Sequence, residues 1–326
     1  MKYILVAFMA MILVGCNEMK TSDIVSNVKD GVVLITNEMK DGKGGVGSGF
    51  IVDENKIITN RHVIDGDGKI AVYSDDSTRK YDARVLFSDE ILDLAIVQLN
   101  DWNSFVEKET PVILTLGDDR ELKLGDKIIV MGHPWGLSWS VSEGIISGKD
   151  RRQGSNPRYL NQVDANLFNG NSGGPIFNEK GEVVCVSNLM LAQEGGSYGF
   201  CIPATLVKKA IHDQDKLGEV RWRAMNVTVS LTEDNSSVIL SNVEPNGAAD
   251  KAGLKANDKV LEIYTPKNHP KGVAITSVND LITEMAQLKG DDDLVKLLIE
   301  RNGEKIMIDV ITNFRKSSEY IPDKAK

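Results

Sequence analysis

Gly170-Asn171-Ser172-Gly173-Gly174-Pro175 sets a serine hydroxyl in a turn made almost wholly of glycine and asparagine. A nucleophilic serine needs its hydroxyl projected into a cleft, with backbone N–H groups converging where a tetrahedral oxyanion forms. Glycine allows so tight a backbone because a side chain would block both the turn and the reacting group. The oxyanion hole is therefore expected at Gly170, Asn171 and Ser172, with the Gly170 and Ser172 N–H groups as the natural donors. The serine also needs a base. Thr59-Asn60-Arg61-His62-Val63 follows an apolar run and leaves His62 at a strand end. Asp93 opens the run Asp93-Leu94-Ala95-Ile96-Val97-Gln98-Leu99. Its apolar successors draw the carboxylate inward, where a lone charge is costly and calls for a partner.

Positioning these side chains requires a framework of strands. From Gly31 to Pro203 the chain reads as short strands separated by Gly, Asp and Asn. They are Val32–Thr36, Phe50–Val52, Lys56–Thr59, Ile70–Tyr73, Leu94–Leu99, Lys127–Met131, Val141–Ser147, Glu182–Val186 and Ser197–Ile202. Without long helices between them, they indicate an antiparallel barrel or sandwich. On such a frame the order His62, Asp93, Ser172 is that of chymotrypsin-type triads. A helix is expected at Ala204–His212, followed by a charged linker over residues 213–222. Beyond it, strands Val227–Val229, Val238–Ser241, Lys259–Ile263, Val295–Glu300 and Lys305–Ile311 mix with a helix at Val278–Gln287. Residues 315–326 form a polar tail.

The chain resembles the HtrA/Deg family of extracytoplasmic serine proteases, trypsin-like barrels followed by PDZ modules. The resemblance runs through Gly47-Ser48-Gly49-Phe50, Thr59–Val63, Asp93–Val97, Gly132-His133-Pro134-Trp135-Gly136, Gly144-Ile145-Ile146-Ser147, Gly170–Pro175 and Gly199-Phe200-Cys201-Ile202-Pro203. Gly247-Ala248-Ala249-Asp250-Lys251-Ala252-Gly253-Leu254 carries the looser PDZ match. The implied fold is mostly β: a chymotrypsin-like double antiparallel β-barrel over residues 24–212, then an α+β PDZ domain over 223–314. In the implied roles Ser172 attacks the scissile carbonyl and His62 moves the proton. Asp93 orients His62, and activity rises as the imidazole loses its proton.

Several finer expectations follow from the resemblance. The residue six before the nucleophile floors the primary pocket, and here it is Asn166 rather than an acid. Leu167, Leu189 and Met190 are expected to line that pocket, which implies small or medium aliphatic residues before the scissile bond. PDZ modules hold a terminal carboxylate on a loop reading hydrophobic-Gly-hydrophobic. The matching stretch is Arg223-Ala224-Met225, with Ala224 where glycine is expected; a purely packing role for this domain is the alternative. The implied substrates are unfolded or damaged polypeptides. The competing class is a non-proteolytic chaperone or stress sensor that binds peptides without turnover. A homotrimer is also implied, although residues 17–49 contain no aromatic anchor.

Composition limits the remaining readings. At 326 residues the chain exceeds the roughly 250–300 at which single cores divide, so two domains are expected. Asp+Glu 47 against Lys+Arg 38 gives −9, which disfavours a nucleic-acid binder. Three cysteines and four scattered histidines suggest neither a disulfide scaffold nor a metal site, and no cofactor is expected. Cys185 and Cys201 fall on strands expected to pair, and two buried free thiols are the default reading. Lys2, the apolar run Ile4–Val14 and Leu13-Val14-Gly15-Cys16 resemble a lipoprotein signal peptide over residues 1–15. Lipidation at Cys16 would anchor the protein outside the cytoplasm through a short tether, residues 16–23.

Overall fold

The computed structural model describes residues 19–39, 44–74, 78–136, 138–152, 159–193, 196–234, 236–266 and 270–316. Cys16, the signal segment, most of the polar tail and His269 lie outside them. A first helix, α1 (Thr21–Val28), begins inside the expected tether and buries Ile24 and Val28. Six strands follow: β1 (Val32–Glu38), β2 (Gly45–Asp53), β3 (Lys56–Asn60), β4 (Lys69–Tyr73), β5 (Lys80–Asp89) and β6 (Leu94–Leu99). They close into an antiparallel barrel in the order β1-β2-β3-β6-β5-β4. A single turn, α2 (Arg61–Ile64), follows β3, and α3 (Trp102–Glu109) leaves the barrel.

The second barrel has the order β10-β11-β12-β9-β8-β7. Its strands are β7 (Lys127–Gly132), β8 (Ser140–Arg152), β9 (Tyr159–Val163), β10 (Pro175–Phe177), β11 (Val183–Gln193) and β12 (Gly196–Pro203). Successive side chains of a strand point to opposite faces. Thus Ile51, Ile57 and Val97 fill the first barrel's interior, while Phe50, Ile58 and Ile96 face outward into a second core. In the second barrel Ile128, Ile176 and Val184 point in, and Ile129, Phe177 and Val183 reach that same shared core. Strands buried on both faces read as unbroken apolar runs, which is how these sequences look.

Cys185 and Cys201 are bonded, with Cα atoms 5.5 Å apart, in place of the expected free thiols. Both point into the second barrel from adjacent strands, where that separation suits a disulfide.

The charged stretch after residue 212 is not a loose connection. Helix α4 (Ala204–Leu217) runs through it and ends on Gly218, and β13 (Arg221–Ala224) begins three residues later. Asp213 is fully buried and accepts Lys209 Nζ at 2.6 Å, Gly290 N at 2.7 Å and Arg221 N at 3.2 Å. Lys209, equally buried, also donates to the Arg221 carbonyl at 2.7 Å. The pair lies within α4, and its bonds to Gly290 N and the Arg221 backbone tie that helix to the C-terminal domain. There β14 (Val227–Leu231), β15 (Val238–Val243), β16 (Lys259–Tyr264), β18 (Leu294–Arg301) and β19 (Glu304–Ile311) form one sheet. β17 (Val273–Ala274) pairs with β16, and β20 (Asn313–Lys316) pairs with β13. The short α5 (Ala248–Lys251) and α6 (Val278–Ala286) complete the domain, α6 opening with a Ser277/Asp280 capping box. Among the described residues no helix is long and apolar enough to cross a membrane.

Candidate active site

His62 is the second residue of α2, and Asp93 immediately precedes β6 with a left-handed φ of 55°. A non-glycine residue holds such a backbone only where its surroundings fix it. Here the Asp93 carbonyl accepts Arg61 N and Asn60 Nδ2, both at 3.1 Å. Its carboxylate accepts three donors. His62 N lies 3.0 Å from Oδ1; His62 Nδ1 and Asn188 Nδ2 lie 2.8 and 2.7 Å from Oδ2. Burial pushes the Asp93 carboxyl up, but the His62 hydrogen bond and charge, with the Asn188 amide, outweigh it. The group is held below the usual carboxylate value.

Ser172 reaches the same seam from the second barrel. Its Oγ donates to the Asn188 carbonyl at 3.3 Å, and among the described residues no hydrogen bond joins it to His62. Asn188 sits where the β11–β12 register shifts, so its carbonyl is free to take the hydroxyl. The turn before Ser172 is fixed by its own backbone. Asn171 N donates to the Phe168 carbonyl and Trp135 N to the Asn169 carbonyl, both at 2.9 Å. A trans peptide carries its N–H opposite its carbonyl, so the Gly170 N–H points away from Trp135. Among the described residues neither Gly170 N–H nor Ser172 N–H has a hydrogen-bond partner. Asn171 was expected beside them, but its amide is used within the turn. Gly170 adopts φ 104°, and a Cβ there would lie 2.6 Å from the His133 carbonyl. Only glycine fits.

The four expected pocket residues are not gathered on one surface. Leu167 is buried inside the second barrel, whereas Leu189 packs on the core between the barrels. Asn166 and Met190 are exposed. Alternation along β11 sends Leu189 and Met190 to different sides. His133 is completely buried with neither ring nitrogen partnered, and burial lowers its imidazole to about 4. His212 Nε2 lies 3.1 Å from Asp291 Oδ1.

Near the expected carboxylate loop the left-handed residue is Asn226, φ 63°, two places beyond Ala224. Ala224 pairs with Asn313 as ordinary strand. The Arg223 guanidinium is turned onto the Gly290 and Thr312 carbonyls, and Met225 is buried. Beside the expected carboxylate loop, asparagine rather than glycine thus supplies the positive φ.

Residues 47–186 match the trypsin-like peptidase domain, and residues 225–312 match the PDZ domain. The chain belongs to the HtrA-type, trypsin-like serine proteases. It is 32% identical over 244 residues to a probable serine protease do-like of Buchnera aphidicola, covering 70% of this chain and 50% of that one. It is 30% identical over 257 residues to a probable periplasmic serine endoprotease DegP-like of Brucella suis, covering 74% and 47%. This HtrA-type chain thus spans about half the length of the curated relatives it matches. The solved HtrA-type protease AlgW with tripeptide superposes with a TM-score of 0.71 at 25% identity, over 94% of this chain and 100% of that one. The serine endoprotease from Yersinia pestis gives 0.63 at 25% identity, over 91% and 99%.

Two residues that hold this HtrA-type site together were not singled out from sequence. Asn188 interrupts the apolar strand Val184-Cys185-Val186-Ser187-Asn188-Leu189, and that buried polar break was the available signal. Ser48 was visible only as part of Gly47-Ser48-Gly49.

Proposed function

We propose that the protein is a serine endopeptidase using His62, Asp93 and Ser172, with Gly170 and Ser172 N–H as the oxyanion-hole donors. The observation that carries this reading is two unpartnered N–H groups in the Ser172 turn, beside a histidine locked to a half-buried carboxylate. With substrate present, Ser172 Oγ leaves the Asn188 carbonyl and passes its proton to His62 Nε2 as it attacks the scissile carbonyl carbon. The oxygen that becomes negative is met by the two N–H groups, already fixed before reaction. Asp93 holds His62 by Nδ1, which keeps Nε2 as the accepting nitrogen and stabilises the imidazolium. His62 then protonates the leaving amine. A water, activated by the same imidazole, releases the acyl group and restores the hydroxyl.

The relatives named periplasmic support an extracytoplasmic location, and the lipobox-like ending at Cys16 supports a membrane anchor. Unfolded or damaged polypeptides are the proposed substrates. The PDZ domain is proposed to take peptide C-termini and to regulate cleavage. Fluorophosphonate labelling tests the central claim. Native protein is expected to label and Ser172→Ala is not; equal labelling of both, or of neither, refutes it. Addition of peptides with apolar C-termini is expected to raise the native rate.

A further inference from the structure

The turn that offers the two oxyanion donors is held from the opposite barrel by one buried serine. Ser48, on β2, is completely shielded from solvent. Its Oγ donates to the Gly170 carbonyl at 2.7 Å and accepts His133 N at 2.9 Å. Its backbone N–H donates to the Ser172 carbonyl at 2.8 Å. Its carbonyl accepts Thr59 Oγ1 at 2.7 Å, from a residue three places before His62. One residue therefore binds the carbonyls of both donor residues and is itself tied to the segment that carries the base. Among the described residues, no other hydrogen bond reaches the Gly170 or Ser172 carbonyl.

We infer that Ser48 is a positioning residue for the oxyanion hole: it fixes the peptide that follows each donor residue, and with it the backbone dihedrals that aim the Gly170 and Ser172 N–H groups. It touches no reacting atom. With the Gly170 carbonyl released, the glycine at φ 104° has many alternative backbone conformations and nothing to select the donor arrangement. His133 N would lose its acceptor in the same place, in the segment whose Trp135 N–H fixes the neighbouring peptide. Both peptides flanking Gly170 thus depend on the Ser48 hydroxyl. The inference rests on the serine-protease reading above.

The test compares native protein with Ser48→Ala and with Ser48→Cys, which fills the site with a poor hydrogen-bonding group. Removing an oxyanion-hole donor costs about 10²–10³ in kcat. Loosening the donors is expected to cost about 10–100-fold in kcat and in fluorophosphonate labelling rate. KM for a peptide substrate should stay within about twofold, and the acid limb of the pH profile should not move. A merely structural role would instead lower thermal stability and leave kcat per folded molecule unchanged. If Ser48→Ala does not fold, Ser48→Cys decides. Either folded variant labelling at the native rate overturns this inference alone. Native protein that does not label overturns the underlying protease reading, and this inference with it.

Discussion

Replacing Asp93 by asparagine keeps its size and alters three hydrogen bonds at once. The carboxylate accepts from His62 N on one oxygen, and from His62 Nδ1 and Asn188 Nδ2 on the other. An amide offers one acceptor oxygen and one NH2 group, which can only donate. Placed toward His62 Nδ1, the oxygen keeps two donors and turns the NH2 against His62 N–H. Flipped, the NH2 confronts both His62 Nδ1 and Asn188 Nδ2. In either arrangement at least one donor in this largely enclosed place is unpaired, at about 1–3 kcal/mol. The charge-assisted bond to the imidazolium is lost as well, at about 1.5–3 kcal/mol. Summed, roughly 2.5–6 kcal/mol corresponds to about 10²–10⁴ in kcat/KM. The assay is cleavage of a quenched peptide alongside fluorophosphonate labelling, with circular dichroism to show that the variant is folded. A folded Asp93→Asn protein within tenfold of native activity would refute the assignment of Asp93 as the residue that orients His62.

Other consequences concern stability. His133 takes its proton only near 4 in the folded protein, against 6.5 when unconstrained. The unfolded chain therefore binds more protons between those values. Stability falls as pH drops through them, by about 3 kcal/mol in all. His133→Asn should flatten that loss, read as the urea midpoint near pH 7 against that near pH 4; an unchanged drop excludes His133 as its source. Lys209→Met leaves Asp213 buried without its cation and should cost about 3–5 kcal/mol in urea unfolding. A cost under about 1 kcal/mol would show that backbone donors alone suffice for Asp213. Replacing Cys185 and Cys201 by alanine opens a link across a sequence separation of 16 and should cost about 3 kcal/mol, measured with the native disulfide intact in the reference.

Much of the frame was legible because the two barrels share a wall. Strands such as Lys56–Asn60 and Leu94–Leu99 are apolar on both faces and announce themselves. β5 was missed because it is largely exposed, reading Lys80-Tyr81-Asp82-Ala83-Arg84 without a buried face until Phe87. β10 is only three residues long and opens with proline. His62, Asp93 and Ser172 were legible because each sits in a short motif at a strand end. Asn188 and Ser48 act through backbone groups as well as side chains, and their partners lie 95 and 122 residues away. No local spacing encodes such contacts. The left-handed turn beside Arg223-Ala224-Met225 was not anticipated because the sequence was searched for glycine, whereas Asn226 supplies it.

The partition of the chain between its two cylinders has a practical corollary. Phe50, Ile58 and Ile96 of one, and Ile129, Phe177 and Ile202 of the other, are solvent-free only because the cylinders cover each other. Cutting the gene between α3 and β7 would yield two fragments, each exposing a greasy flank. Expressed separately they should precipitate, whereas co-expression should let them dock and recover hydrolysis. Each barrel is thus the solubilising partner of the other.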